Sequence, residues 1–400
     1  MQVLVLTISG DDQPGVTAGM SNALEDASVT VKQLEQIVLQ GHLVLGIVLA
    51  GDDEALHGAL GIANDYANSR QMAISHRYIL NSDLEHYRER LVVTVLGSPL
   101  TPKSIGAITS EIAVAGGNID RIRQVAMYPV TAVEFEVGGV EKRTLRDRLT
   151  AIARTNEIDI AVQEAGLDRR GIHLVVMDVD STFIQEEVIE LLAAHAGVET
   201  EVAEITHRAM NGELDFEQSL RARVAMLAGL NEEVLNTVQS QITLTPGAAT
   251  LARTLHKIGF QVALVSGGFL EVVGPLAHKL GVVNVRANQL EIKDGKLTGN
   301  LSGPIIDRAA KAQALKEFAE QYDIPLSRTI AIGDGANDLD MLNAAALGIA
   351  FNAKPYVRDA AYASVNVPYL DTVLYVMGIP REHIERSEAF DSSPHRRPPV

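Results

Sequence analysis

The chain has 400 residues, 46% of them apolar, and sets 34 basic against 51 acidic side chains for a formal charge of -17. That length exceeds one compact domain and leaves room for two or three, each with a core of Val, Leu, Ile and Ala, since aromatics are scarce and Trp is absent. The charge disfavours nucleic acid and anionic membranes, so an anionic substrate would need a local cation or a metal. The absence of cysteine excludes disulfides and thiolate metal sites. No apolar run reaches membrane-spanning length, and Met1–Leu6 enters a strand pattern without a basic leader. A soluble cytoplasmic protein is expected.

Residues 3–80 read as strand, helix, strand, strand, helix, strand. Val3–Ser9 is a strand, Gly10–Gly15 a turn, and Val16–Glu25 has helical spacing. Val29–Leu39 and His42–Ala50 are strands meeting at Gln40-Gly41. Asp53–Ala67 is a helix with acidic residues in its first turn, where the helix dipole favours them, and Met72–Leu80 closes the unit. The order recurs over about residues 90–165: Leu91–Leu96, Thr101–Ala115, Asn118–Met127 with Thr131–Val137, Glu141–Thr155 and Ile158–Glu164. Thr7 and Gly10 align with Thr94 and Gly97, Gly19 with Gly106, and Gln36 with Gln124 after one inserted residue. This is the ferredoxin-like βαββαβ order, twice.

Each copy resembles an ACT domain, a regulatory module that binds amino acids, usually across an interface. The resemblance implies domains at 1–82 and 88–166, a homodimer formed through them, and an amino acid as effector, which would be L-serine if the enzyme that follows makes serine. Ligand contacts would fall at Asp11–Gly15 and Ser98–Thr101. The first copy has the turn Asp12-Gln13-Pro14-Gly15; the second, Ser98-Pro99-Leu100-Thr101-Pro102, lacks that glycine.

From Gly171 buried strands alternate with helices, the pattern of a parallel sheet. The apolar run His173–Met177 ends in Asp178-Val179-Asp180-Ser181-Thr182. A largely helical block runs from Glu186 to about Thr243. Gln261–Val265 is a strand ending in Ser266-Gly267-Gly268, Leu290–Leu301 a hairpin turning at Asp294-Gly295, and Arg308–Tyr322 a helix carrying Lys311. Arg328–Ile332 ends in Gly333-Asp334-Gly335-Ala336-Asn337-Asp338, and Leu347–Phe351 and Ala363–Val367 complete the sheet. Three strands therefore end in polar loops that share one sheet edge, where ligands bind in open α/β folds. From about Arg381 the chain is rich in Ser, Pro, Arg and Glu, and a disordered tail over 381–400 is expected.

Taken singly, Asp-x-Asp-x-Thr could be a cap and turn, Ser-Gly-Gly a turn, Lys311 a solvated helix face, and Gly-Asp-Gly-x-Asn-Asp a calcium-type loop. Their order, each after a strand or on the following helix, points to one pocket. With no cysteine available, Asp178 is the candidate nucleophile, attacking phosphorus to give an aspartyl-phosphate. Mg²⁺ held by Asp178, Asp334 and the main-chain carbonyl of Asp180 would cancel charge between the anions. Asp180 would protonate the leaving oxygen and later deprotonate water, with Thr182 hydrogen-bonded to it. Ser266 and the Gly267 N–H would hold phosphate oxygens, Lys311 would add positive charge, and Asp338 would position the metal or its waters.

Asp178-x-Asp180-x-Thr182, Ser266, Lys311 and Gly333-Asp334-Gly335-x-Asn337-Asp338 resemble the haloacid-dehalogenase-like phosphohydrolases. The resemblance implies a Rossmann-like α/β domain over 171–380, with a helical cap at about 185–245 and Asn337 at the substrate. Within the cap, Glu186-Glu187, Met210–Phe216 and Ser219-Leu220-x-x-Arg223-Val224 are similar to the phosphoserine phosphatase family. That similarity implies O-phospho-L-serine as substrate, Glu187 on its ammonium, Arg223 on its carboxylate, and Met210 and Phe216 as apolar walls. Transfer of phosphate to a second alcohol such as homoserine, an amino-acid sensor, and a phosphoprotein phosphatase are the competing readings.

Overall fold

The structure is a computed structural model and describes residues 2–80, 90–210 and 213–391; of Met210, Phe390 and Asp391 it describes the backbone alone. Two compact units divide the chain at Arg88/Glu89.

The first unit has strands β1 Gln2–Asp11, β2 Thr30–Leu39, β3 His42–Ala50 and β4 Ala73–Leu80, with helices α1 Val16–Ala23 and α2 Asp53–Ser69. The antiparallel order is β2-β3-β1-β4. Alternate residues Leu4, Leu6 and Ile8 face the helices. Helix α2 meets them with Leu56, Ala59, Ala63 and Ala67, three or four apart and so on one face. Edge strand β2 is exposed along its whole length.

The second unit begins with the repeat: β5 Arg90–Gly97, α3 Pro102–Val114, β6 Asn118–Ala126, β7 Thr131–Gly138, α4 Lys142–Asn156 and β8 Asp159–Glu164, ordered β6-β7-β5-β8. Val93, Val95, Ile108, Ile112, Leu145 and Leu149 form its core. Helix α5, Leu167–Arg170, joins it to the body.

The body contains β9 Leu174–Met177, α6 Val188–Ala196, α7 Glu199–Met210, α8 Phe216–Ala225, α9 Glu233–Gln241, α10 Ala248–Lys257, β10 Gln261–Phe269 and α11 Leu270–Lys279. It continues through β11 Asn284–Lys293, β12 Lys296–Ser302, α12 Arg308–Gln321, β13 Thr329–Gly333, α13 Leu339–Ala344, β14 Leu347–Phe351, α14 Pro355–Ala360, β15 Ala363–Val365, α15 Val373–Val376 and α16 Arg381–Asp391. The sheet order is β12-β11-β10-β9-β13-β14-β15, parallel except at the β11–β12 hairpin.

Central strand β9 shows why its run is apolar throughout. Val175 and Met177 face one layer, with the cap side and α11; Leu174 and Val176 face the other, with α12 and α13. A strand covered on both faces has no polar side. Helices α6 to α9 form the cap. Its two connections pair with each other through the antiparallel bridge Ile184–Leu244. The β11–β12 hairpin supports the cap from below: Gly229 N–H donates to the Leu297 carbonyl at 2.8 Å, and Leu297 N–H to Leu230 at 2.9 Å.

The repeat shares the body's core, Ala132 and Ala161 packing with Tyr375 and Val376 in one cluster. Buried Asp159 on β8 accepts from Asn366 N–H at 2.7 Å and Ser364 Oγ at 3.1 Å.

The expected disorder from residue 381 is corrected: Arg381–Asp391 is the helix α16. Ile384 is fully buried, Arg381 pairs with Asp371 at 3.1 Å, and Thr250 Oγ1 donates to Glu388 at 2.8 Å. Among the described side chains of α16, buried Ile384 anchors the helix, and the flanking polar bonds hold it to the body. The remainder of the expected tail, 392–400, lies outside the described residues.

Candidate active site

The loops after β9 and β13, the end of β10 and the helix α12 converge at the carboxyl edge of the sheet. Asp178 is fixed by the ladder, its N–H donating to the Ile332 carbonyl of β13 at 2.9 Å. Its Oδ1 accepts from Val179 N–H at 2.8 Å and from Lys311 Nζ at 2.6 Å. Lys311 is completely buried and also donates to Asp338 Oδ1 at 2.7 Å. Asp338 is anchored in turn by Gly335 N–H, 2.9 Å from its Oδ2.

The carboxylates of Asp178, Asp334 and Asp338 can place one oxygen each within 4.8 Å of the others. A single ammonium faces three carboxylates. Burial, then repulsion from Asp338, raises the Asp178 carboxyl well above its ordinary range despite Lys311. Burial and Asp338 push Asp334 up to about 6, opposed by the Thr182 hydroxyl. Burial works against the charged form of Lys311, but Asp178 and Asp338 outweigh it and hold the ammonium above its ordinary value. The uncompensated negative charge and the all-oxygen donor set fit a hard divalent cation.

Asp180 points elsewhere. Its Oδ2 accepts from Ser266 Oγ at 2.8 Å and its Oδ1 from Val188 N–H, the first residue of cap helix α6, at 2.9 Å. The expected Thr182–Asp180 bond is absent among the described residues: Thr182 Oγ1 donates to Asp334 Oδ1 at 2.9 Å. Ser181 adopts left-handed backbone, φ 57°, which turns the chain so that 180 and 182 face different loops. Asp338 lies beside Asp178 and Asp334 in the acidic cluster, and the Asp180 side chain is committed to Ser266 and the cap, which leaves its main-chain carbonyl as the expected ligand from that residue.

Ser266, Gly267 and Gly268 lie inside β10 rather than beyond it, at an irregularity where the β11 pairing shifts register between Val265 and Phe269. The irregularity frees the strand end to wrap the site. Ser266 Oγ accepts from Gly268 N–H at 2.7 Å. Gly268 must be glycine: a Cβ there would stand 2.8 Å from Asp180 Oδ2 and 3.0 Å from Ser266 Oγ. Sequence reasoning missed Asn288. This buried side chain donates to the Gly267 carbonyl at 2.8 Å and accepts from Ile306 N–H at 2.8 Å. β11 is mostly polar and carries three amides, Asn284, Asn288 and Gln289, so no local signal singled this one out.

From the cap, Phe216 reaches over Gly267, where a Cβ would stand 3.4 Å from Phe216 Cζ. Asp215 and Gln218 form the capping box that sets the start of α8. Glu187 Oε1 accepts from Ser181 Oγ at 2.9 Å. Burial, then the Asp180 charge, raises the Glu187 carboxyl to about 7. Burial lowers Arg223, while Glu187, Glu190 and Asp180 oppose that shift, so Arg223 and Glu187 share one electrostatic environment. Asn337 is half-buried in the β13 loop. The side chain expected at Met210, with Asn211 and Gly212, lies outside the described residues.

Fold and site define a haloacid dehalogenase-like hydrolase, and residues 175–343 match that family. Residues 2–60 and 90–163 each match an ACT domain. The phosphoserine phosphatase of Streptomyces coelicolor is 53% identical over 97% of this chain and 95% of its own length. That of Mycobacterium tuberculosis is 44% identical over 98% and 97%. A crystal structure of a probable phosphoserine phosphatase from Vibrio cholerae, unliganded, is 35% identical, with TM-score 0.58 over 74% of this chain and 88% of that one. The chain belongs to the phosphoserine phosphatase family.

Proposed function

We propose that this protein hydrolyses O-phospho-L-serine to L-serine and phosphate in the cytoplasm, as the last step of serine biosynthesis. The observation that carries the substrate is that the Glu187 carboxyl and the Arg223 guanidinium, both well buried, feel each other's charge beside Asp180. A free amino acid offers an ammonium and a carboxylate; a phosphoserine inside a peptide offers neither. A guanidinium fork suits the carboxylate, and Phe216, which reaches over Gly267, would be an apolar wall. Met210 would add a second apolar wall.

Among the described residues both bonds to Asp178 fall on Oδ1, so Oδ2 attacks phosphorus. The P–O bond to serine breaks, and the serine oxygen takes its proton from Asp180. Asp180 then removes a proton from water, which attacks the aspartyl-phosphate, breaks its P–O bond and releases phosphate. Ser266 and the Gly267 N–H hold phosphate oxygens, and Asn337 contacts the substrate. Lys311 keeps positive charge at the nucleophile in both steps. Magnesium, held by Asp178, Asp334, Asp338 and the main-chain carbonyl of Asp180, would neutralise phosphate charge facing the nucleophile.

L-serine is proposed to feed back on the two ACT domains through Asp11–Gly15 and Ser98–Thr101, in a homodimer joined by ACT sheets. Exposed Leu34 and Ile37 on β2 support a covered edge. Phosphate release from O-phospho-L-serine, its N-acetyl derivative, its amide and a phosphoserine peptide tests the substrate. Release from the free amino acid alone, abolished by EDTA and restored by Mg²⁺, is expected. Equal rates on the peptide would reject the reading, as would transfer to homoserine in place of release. Calorimetry with L-serine and sedimentation measurements test the regulatory part.

A further inference from the structure

The cap hangs on two connections, 178–187 leaving the body and 242–247 returning to it, and they pair as a short antiparallel ribbon. Thr245 N–H donates to the Phe183 carbonyl at 3.0 Å and Gln185 N–H to the Thr243 carbonyl at 3.0 Å, on either side of the Ile184–Leu244 bridge. Gln185 Nε2 adds a bond to the Leu244 carbonyl at 3.2 Å. In a continuing ladder Thr243 N–H would return to the Gln185 carbonyl and complete that pair. It donates instead to Glu186 Oε2 at 2.9 Å. A carboxylate ends the ribbon where main chain would have carried it on.

Ending the ribbon there frees the main chain of residues 186 and 187 to turn into α6. The Glu186 carbonyl accepts from Ser181 N–H at 3.4 Å. The residue is therefore bound to the nucleophile loop through its main chain and to the returning connection through its side chain. Glu187 comes next. It stands at the cap position of α6, yet its side chain bonds none of the helix N–H groups; it accepts from the Ser181 hydroxyl at 2.9 Å. A side chain uncommitted to its own helix takes its direction from that hydroxyl and from the backbone before it, which is Glu186.

Thr243 is exposed and Glu186 half-buried. Water can satisfy the Thr243 N–H if the carboxylate is removed, so the fold should lose little. Water cannot replace the tie between the two connections.

We propose that Glu186 is a positioning residue for recognition of the substrate ammonium. By holding Thr243 N–H it locks the outgoing connection of the cap onto the returning one, and so directs Glu187 into the pocket. The proposal rests on the reading of Glu187 as the ammonium partner of O-phospho-L-serine.

The test compares kcat/KM for O-phospho-L-serine with that for the phosphate ester of β-hydroxypropanoate, in the full-length protein with Mg²⁺. The second ester has the same phosphate and carboxylate and lacks the ammonium. Wild type should prefer O-phospho-L-serine. Glu186→Ala should lose roughly tenfold of that preference, mainly through KM. Its rate on the ammonium-free ester should stay within about twofold of wild type, which also shows that the variant folds. Glu186→Gln keeps an oxygen for Thr243 N–H and should keep the preference. Glu186→Ala combined with Glu187→Gln should be no worse than Glu187→Gln alone, because the first acts through the second. Equal losses on both esters, a Gln variant as poor as the Ala variant, or additive losses in the double variant would overturn the proposal. A wild type that hydrolyses both esters equally would overturn the substrate reading itself, and this proposal with it.

Discussion

Glu187 is largely buried, and burial together with the Asp180 charge raises its carboxyl from 4.5 to about 7. An acid whose value is higher in the folded state is harder to ionise there. Its penalty is absent below the unfolded value, grows as pH rises from 4.5 to 7, and is complete above 7. That interval corresponds to about 3 kcal/mol, trimmed by partial solvent access to about 2–3 kcal/mol. Glu187→Gln removes the charge and keeps an oxygen for the Ser181 hydroxyl, which donates at 2.9 Å. At pH 8 the variant should therefore be the more stable protein by about 2–3 kcal/mol, and at pH 5 by about 1 kcal/mol or less. Melting followed in EDTA, so that no metal alters the charges, should show a Tm gain on the order of 5 °C at pH 8 that shrinks at pH 5. In kinetics the same variant should lose kcat/KM for O-phospho-L-serine by about 100-fold or more, because an ammonium under the cap loses its counter-charge. The wild-type kcat/KM should fall as pH drops through about 7, and that limb should vanish in the variant. A variant no more stable than wild type at pH 8, or a gain that is the same at both pH values, would refute the reasoning.

Asp178→Asn should fold normally yet release no phosphate and trap no acid-stable phosphoenzyme after quenching with labelled substrate; retained label would reject Asp178 as nucleophile. Lys311→Met leaves two buried carboxylates facing each other and should destabilise the metal-free protein by about 3–5 kcal/mol, read by urea unfolding. Asn288→Ala leaves the Gly267 carbonyl and the Ile306 N–H without partners and should cost about 1–3 kcal/mol. It should lower kcat more than it raises KM, because the Ser266–Gly268 bulge would lose its support. EDTA should abolish turnover, and Mg²⁺ should restore it.

The repeated βαββαβ order was legible from period and turn residues, because local pattern determines which residues face a core. The β9 run was legible as a buried central strand because only a strand covered on both faces lacks a polar side. The candidate nucleophile and the lysine could be read because strand ends in a parallel sheet share one edge, whatever their separation in sequence. Partner choice within that edge was not legible. Thr182 bonds Asp334 instead of Asp180, since the left-handed turn at Ser181 depends on packing between two loops. Asn288 and the third carboxylate, Asp338, acquire their places from contacts across 21 and 27 residues. The tail shows the same limit: composition favoured disorder over 381–391, but the segment forms the helix α16, anchored by buried Ile384. Sequence by itself determined the elements, their order and the chemistry gathered at one sheet edge, because these follow from local periodicity and residue type. Tertiary structure alone decided which carboxylate faces which hydroxyl, how the second repeat rests on the body, and that Glu186 takes the Thr243 N–H, because those depend on distances between segments remote in the chain.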